Sequence, residues 1–181
     1  MPRIHVCSLT QIANAVRETG ARSMVTLINP LYPVTRPVEI DAARHLHISV
    51  SDIVEPLDGH VAPDVAHVQE LLRFARAWDR AHPLLIHCYA GVSRSTAAAY
   101  VAACALRPDF CEQETARTLR ALSPTATPNA RIVAIADKLL QRNGRMVAAI
   151  NEIGRGADCF EGAPFALDVG PLDIDPRDLG P

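Results

Sequence analysis

No run of the sequence approaches the roughly 18 consecutive apolar residues of a membrane-spanning helix. The opening Met-Pro-Arg-Ile-His-Val-Cys also lacks the long apolar core of a secretory leader. Charge of one sign is missing too: 18 basic and 20 acidic residues leave a net charge of −2, which argues against a nucleic-acid or polybasic membrane footprint. No Cys-x-x-Cys pair occurs. The cysteines (7, 88, 104, 111 and 159) number five, an odd count that suits free thiols in a reducing compartment, so a cytoplasmic location is expected. His45 and His47 share one face of a strand at a metal-like spacing, but no cysteine or carboxylate cluster accompanies them, and a solvated or hydrogen-bonded face is the preferred reading. No metal and no cofactor is implied. There is no internal repeat and no sign of a second domain. What is present is apolar content of 49% in 181 residues, enough for one globular domain with a proper core.

The densest chemistry lies in residues 84–96, Leu-Leu-Ile-His-Cys-Tyr-Ala-Gly-Val-Ser-Arg-Ser-Thr. Leu84-Leu85-Ile86 reads as a buried strand ending in His87-Cys88. A short loop follows, and Arg94 opens an alanine-rich helix. Backbone amides of such a loop and the positive end of the helix dipole converge on one point, a place for an anion. A thiol at its edge, facing a guanidinium, is expected to ionise readily. Arg94 can grip two oxygens of a tetrahedral phosphate with its planar fork. Gly91 keeps a Cβ out of the bowl. The bland alternative makes Cys88 a small buried hydrophobe. Five fixed residues (His87, Cys88, Gly91, Ser93, Arg94) match by chance only on the order of 10⁻⁵ in a chain this long, which favours chemistry.

This stretch resembles the Cys-x5-Arg phosphate-binding loop of the protein tyrosine phosphatases, and in the form His-Cys-x-x-Gly-x-Ser-Arg-Ser it is most similar to the dual-specificity branch. The resemblance implies phosphomonoester hydrolysis through a phosphocysteine, with Cys88 as nucleophile and Arg94 and the 89–94 amides (Tyr89, Ala90, Gly91, Val92, Ser93) holding the phosphate. It also implies that the Ser95 hydroxyl assists departure of the sulfur. Ser93 would brace the loop, and His87 either tunes the cysteine or is a packed strand end. The family's proton donor is an aspartate on a loop some thirty residues upstream. Asp52, directly after a strand, is preferred over Asp58, which is nearer in spacing at 30 residues before Cys88 against 36. Glu55 ranks third. Asn129, in Thr127-Pro128-Asn129, resembles a Ser-Pro-Asn stretch that braces the phosphate loop in dual-specificity domains, though a plain helix-start residue fits equally.

Periodicity along the chain predicts strands at 4–7, 24–28, 44–50 and 84–88. Helices are predicted over 9–19 (Ser8 as N-cap), 64–80, 94–107, 111–122, 129–142 and 145–153. The 94–107 helix is apolar nearly all round and should sit centrally against both sheet and helices. Strands alternating with helices give an α/β fold, a mostly parallel central sheet of four to five strands with helices on both faces, with Cys88 at the carboxyl end of a central strand. Residues 1–156 form the expected domain, and 157–181, rich in glycine, proline and aspartate, an expected flexible acidic tail. The implied partner is a phosphorylated protein or a small phosphoester. Two other readings remain open, a rhodanese-like sulfurtransferase and a phospho-binding module without turnover. The loop carries no lysine, which makes polyanionic inositol phosphates the less favoured substrates.

Overall fold

The computed structural model describes residues 2–170. In chain order the elements are β1 (Arg3–Cys7), α1 (Ile12–Thr19), β2 (Ser23–Ile28), β3 (His45–Ser49), α2 (Val65–Ala77), β4 (Leu84–His87), α3 (Arg94–Leu106), α4 (Glu112–Leu122), α5 (Ala130–Leu139), α6 (Arg145–Ile153) and β5 (Phe165–Asp168). The strands form one five-stranded sheet in the order β3-β2-β4-β1-β5. β4 lies in the middle, parallel to β1 (Cys7 opposite His87) and to β2 (Thr26 opposite His87). β2 and β4 are buried along their whole length and mostly apolar, as parallel strands covered on two faces are.

The pleat divides the core. Ile4, Val6, Val25, Leu27, Leu84 and Ile86 point to one face, which packs under the α3 helix and its neighbours α2, α5 and α4. Met24, Leu85 and Cys7 point to the other face, under α1 and Ile40. α3 is buried almost throughout, and its alanines let sheet and helices approach it from all sides. α2 starts at Val65 because Asp64 and His67 cap each other reciprocally: Asp64 Oδ1 accepts from the His67 amide (3.1 Å) and His67 Nδ1 from the Asp64 amide (3.2 Å).

Three local expectations change. Ser8 makes no cap bond to the turn it precedes; the chain first forms a 3-10 turn (Leu9–Gln11), and α1 begins only at Ile12. The predicted helix over 64–80 stops at Ala77, where the Trp78 indole donates to His82 O (2.9 Å). Most consequential for the site, residues 157–170 are built into the fold instead of trailing as a tail. β5 pairs antiparallel with β1 (Phe165 opposite Val6), and Phe165, Leu167 and Val169 enter the core. The remainder of the expected tail, 171–181, lies outside the described residues.

Candidate active site

Cys88 is the first residue past β4 and is buried. The loop that follows turns its carbonyls outward into the protein. Tyr89 O accepts from the Leu9 amide (3.0 Å), Ala90 O from Gly162 (2.8 Å), Val92 O from Thr127 (2.9 Å) and Ser93 O from Asn129 (3.2 Å). Among the described residues, none of the amides of Tyr89–Arg94 donates a hydrogen bond. A loop with four of its carbonyls engaged behind it and its amides unspent in front is a nest for an anion. Gly91 makes the turn possible. Its φ is +73°, and a Cβ there would sit 2.9 Å from the Cys7 carbonyl carbon, so the loop rests directly on the end of β1.

Arg94, the first residue of α3, is buried, and its Nη1 donates to Val50 O (2.9 Å) just past β3. Its Nε is buried without a hydrogen bond and stands 3.8 Å from Asp52 Oδ2, too far for one. A buried guanidinium donor left open at an amide nest is what a bound oxyanion would satisfy. Asp52 lies at the base of a loop pinched shut by Ser51 and Val61, whose backbones pair (2.7 Å). Its Oδ1 accepts from Ser93 Oγ (2.7 Å) and Asn129 Nδ2 (2.9 Å). The Asn129 side chain is engaged at both ends. Its Oδ1 caps α5 through the Arg131 and Ile132 amides (both 3.1 Å), while its amide nitrogen holds Asp52. Ser95 Oγ is 3.1 Å from Cys88 Sγ.

Behind the nucleophile, Thr26 Oγ1 lies 2.7 Å from His87 Nε2 and 2.8 Å from His45 Nε2, and His87 Nδ1 is 3.4 Å from Cys88 O. The hydroxyl has one proton to give, so one imidazole accepts and the other donates. With its Nδ1 proton turned to Cys88 O, His87 is the acceptor. His47 stacks beside His45 (5.9 Å between rings). Among the described residues no group of three or more histidine, cysteine or carboxylate side chains could hold a metal. Burial, with lesser contributions from the charges of His45, His47 and Arg94, pushes His87 down to about 4. The fold therefore holds His87 neutral where an unfolded chain would bind a proton. This favours folding fully above about pH 6.5 and is lost as the pH falls toward 4. At about 1.4 kcal/mol per unit, His87→Gln should flatten the acid decline of unfolding free energy between pH 6.5 and 4 by about 3 kcal/mol. Urea titrations at several pH values measure it, and an unchanged slope would contradict the assignment.

The structure thus brings together Cys88, Arg94, Asp52, Ser95, Ser93, His87, Asn129 and the loop residues Tyr89, Ala90, Gly91 and Val92. It leaves Asp58 and Glu55 apart. Both are exposed, and Asp58 lies in the turn closed by His60 N to Leu57 O (3.0 Å), making no hydrogen bond among the described residues. Burial pushes Cys7 and Cys104 up to about 12, so they are inert thiols. Sequence reasoning missed Thr26, Val50 O and the 161–162 segment. Thr26 is one polar residue in an apolar strand, the only trace any of them leaves in the sequence.

A mostly parallel sheet with the Cys88 loop at the carboxyl end of its middle strand, and an arginine opening the next helix, has the protein tyrosine phosphatase fold. Solved structures agree. DUSP15 superposes with a TM-score of 0.61 at 16% identity, over 84% of this chain and 91% of that one. Human DUSP28 gives 0.59 at 16% identity, over 77% and 92%. The PTP-2 phosphatase of Cydia pomonella gives 0.58 at 19% identity, over 75% and 84%. No family model and no curated protein matches the sequence.

Proposed function

We propose that this chain is a cysteine-dependent phosphatase of the dual-specificity type, hydrolysing phosphomonoesters of protein or small-molecule substrates. The observation that carries it is the amide nest of Tyr89–Arg94 with the open Arg94 Nε beside a buried cysteine. In the first step the Cys88 thiolate attacks phosphorus in line. The P–S bond forms as the ester P–O bond breaks, and the three remaining oxygens stay on Arg94 and the loop amides. Asp52 gives its proton to the leaving alcohol. In the second step water attacks the phosphocysteine, Asp52 takes a proton back, and Ser95 Oγ donates to Cys88 Sγ as the sulfur departs. Arginine and amides supply the positive charge that the reaction needs, so the mechanism calls for no metal. Free thiols at all five cysteines suit a reducing, cytoplasmic setting.

A solved neighbour, PTPMT1, is described in complex with PI(5)P. The loop here holds Tyr89, Ala90 and Val92 and no lysine, and its mouth carries Tyr89 packed on Tyr32 (4.9 Å between rings). This supports substrates with a single phosphate on an uncharged or aromatic carrier. Turnover of p-nitrophenyl phosphate set against sulfur transfer from thiosulfate to cyanide tests the reading. Phosphate release with no thiocyanate is the expected result. Thiocyanate without phosphate would replace the phosphatase by a sulfurtransferase, and vanadate binding with neither activity would leave a binding module.

A further inference from the structure

Two chain segments distant in sequence form the back wall of the phosphate loop. The first is the end of β1 and the turn after it. Cys7 lies against Gly91, and the Leu9 amide holds Tyr89 O at 3.0 Å. The second is the passage before β5, around Glu161 and Gly162. The Gly162 amide holds the next carbonyl, Ala90 O, at 2.8 Å. A Cβ at Gly162 would lie 3.0 Å from Gly91 O and 3.4 Å from Val92 Cγ2, so this position admits no side chain unless the loop gives way. The two segments are tied to each other. Glu161 Oε1 accepts hydrogen bonds from both Ser8 Oγ and Thr10 Oγ1, the residues flanking Leu9. β5 then pins the passage to β1, three residues beyond Gly162.

We propose that Glu161 and Gly162 are positioning residues that hold the phosphate loop in its anion-binding shape, so that oxyanion affinity depends on a segment outside the Cys-x5-Arg motif. The physical basis is preorganisation. A nest binds an anion only if its amides already converge, and each carbonyl pinned from behind removes a rotation that would scatter them. Tyr89 and Ala90 are pinned by two different segments, and Glu161 joins those segments into one body. The two hydroxyl hydrogen bonds also hold the Glu161 carboxyl below the usual glutamate range, so it is an ionised acceptor at neutral pH. In its catalytic consequence the inference rests on the phosphatase reading. In its binding consequence it rests only on the nest.

The test compares Glu161→Ala, Glu161→Gln and Gly162→Ala in the full chain by orthovanadate titration, p-nitrophenyl phosphate kinetics and thermal unfolding. Glu161→Ala should weaken vanadate about fivefold, the worth of roughly one net hydrogen bond, and raise KM in parallel with little change in kcat or unfolding midpoint. Glu161→Gln keeps a carbonyl oxygen for both hydroxyls and should recover vanadate affinity to within about twofold. Gly162→Ala should weaken vanadate by about tenfold or more by pushing on Gly91 O. If Gly162→Ala does not fold, the Glu161 pair decides. Wild-type vanadate affinity in Glu161→Ala, or a Gln variant as weak as the Ala variant, overturns the proposal. If the wild type binds vanadate with this Glu161 dependence but hydrolyses no phosphoester, the brace stands and the phosphatase reading falls. Hydrolysis by the wild type with indifferent variants gives the reverse.

Discussion

Replacing Cys88 with serine is expected to abolish phosphate release while leaving oxyanion binding close to that of the wild type. The two effects separate because different atoms carry them. Attack on phosphorus needs an anionic sulfur, and a serine hydroxyl at neutral pH is neither ionised nor comparably nucleophilic. Removing a covalent nucleophile costs on the order of 10⁴-fold or more in kcat, at least about 5 kcal/mol of transition-state stabilisation. Binding depends instead on Arg94 and the loop amides, which Cys88→Ser leaves in place. The arginine stays anchored through Val50 O at 2.9 Å, and the loop carbonyls keep all four of their outside partners. Loss of a thiolate beside a phosphate dianion also removes a like-charge repulsion, so affinity should hold or rise. Arg94→Ala provides the contrast, since it should lose binding and turnover together. Single-turnover phosphate release and orthovanadate titration of the two variants make the measurement. A Cys88→Ser protein with wild-type turnover would end the phosphocysteine mechanism.

The centre of the molecule was legible because its chemistry is concentrated in sequence. Cys88, Gly91, Ser93 and Arg94 fall within seven consecutive positions, and a strand–loop–helix pattern around them admits few geometries. The parallel strands were legible for the same reason, since β2 and β4 are short apolar runs buried on both faces. What escaped is built from contacts between residues far apart in the chain. Phe165-Ala166-Leu167-Asp168 alternates in burial once folded, but three apolar residues and an aspartate amid glycine, proline and aspartate do not announce a strand. Only pairing with β1, some 160 residues earlier, makes them one. Glu161 reads as a tail charge until Ser8 and Thr10 meet it. Ser8 illustrates the converse: its residue type favours helix caps, whereas its hydroxyl is committed to Glu161, far along the chain. Asn129 shows that two readings of a residue need not compete, because one amide group has an acceptor for the helix and a donor for Asp52.

The second large effect falls on Asp52. Sequence spacing left Asp52 and Asp58 in contention, and the loop's shape separates them. The Ser51–Val61 pairing fixes its base, where Asp52 stands beside Ser93, Asn129 and Arg94, while Asp58 sits in an exposed turn. Asp52→Asn is an unusually clean substitution. The asparagine Oδ1 can still accept from Ser93 Oγ and Asn129 Nδ2, so the loop should hold while the ability to deliver a proton disappears. The deficit should scale with the leaving group's need for that proton. Phenyl phosphate, a poor leaving group, should lose about 10²- to 10³-fold in kcat, and p-nitrophenyl phosphate distinctly less. The descending basic limb of the kcat/KM profile, which reports deprotonation of the acid, should flatten in Asp52→Asn. Asp58→Asn should retain that limb and the leaving-group dependence of the wild type, because the Asp58 side chain makes no hydrogen bond or ion pair to the bowl among the described residues. If Asp58→Asn loses the limb and Asp52→Asn keeps it, the distal turn must swing to the phosphate during catalysis. Asp52 would then be a brace for Ser93 and not the proton donor.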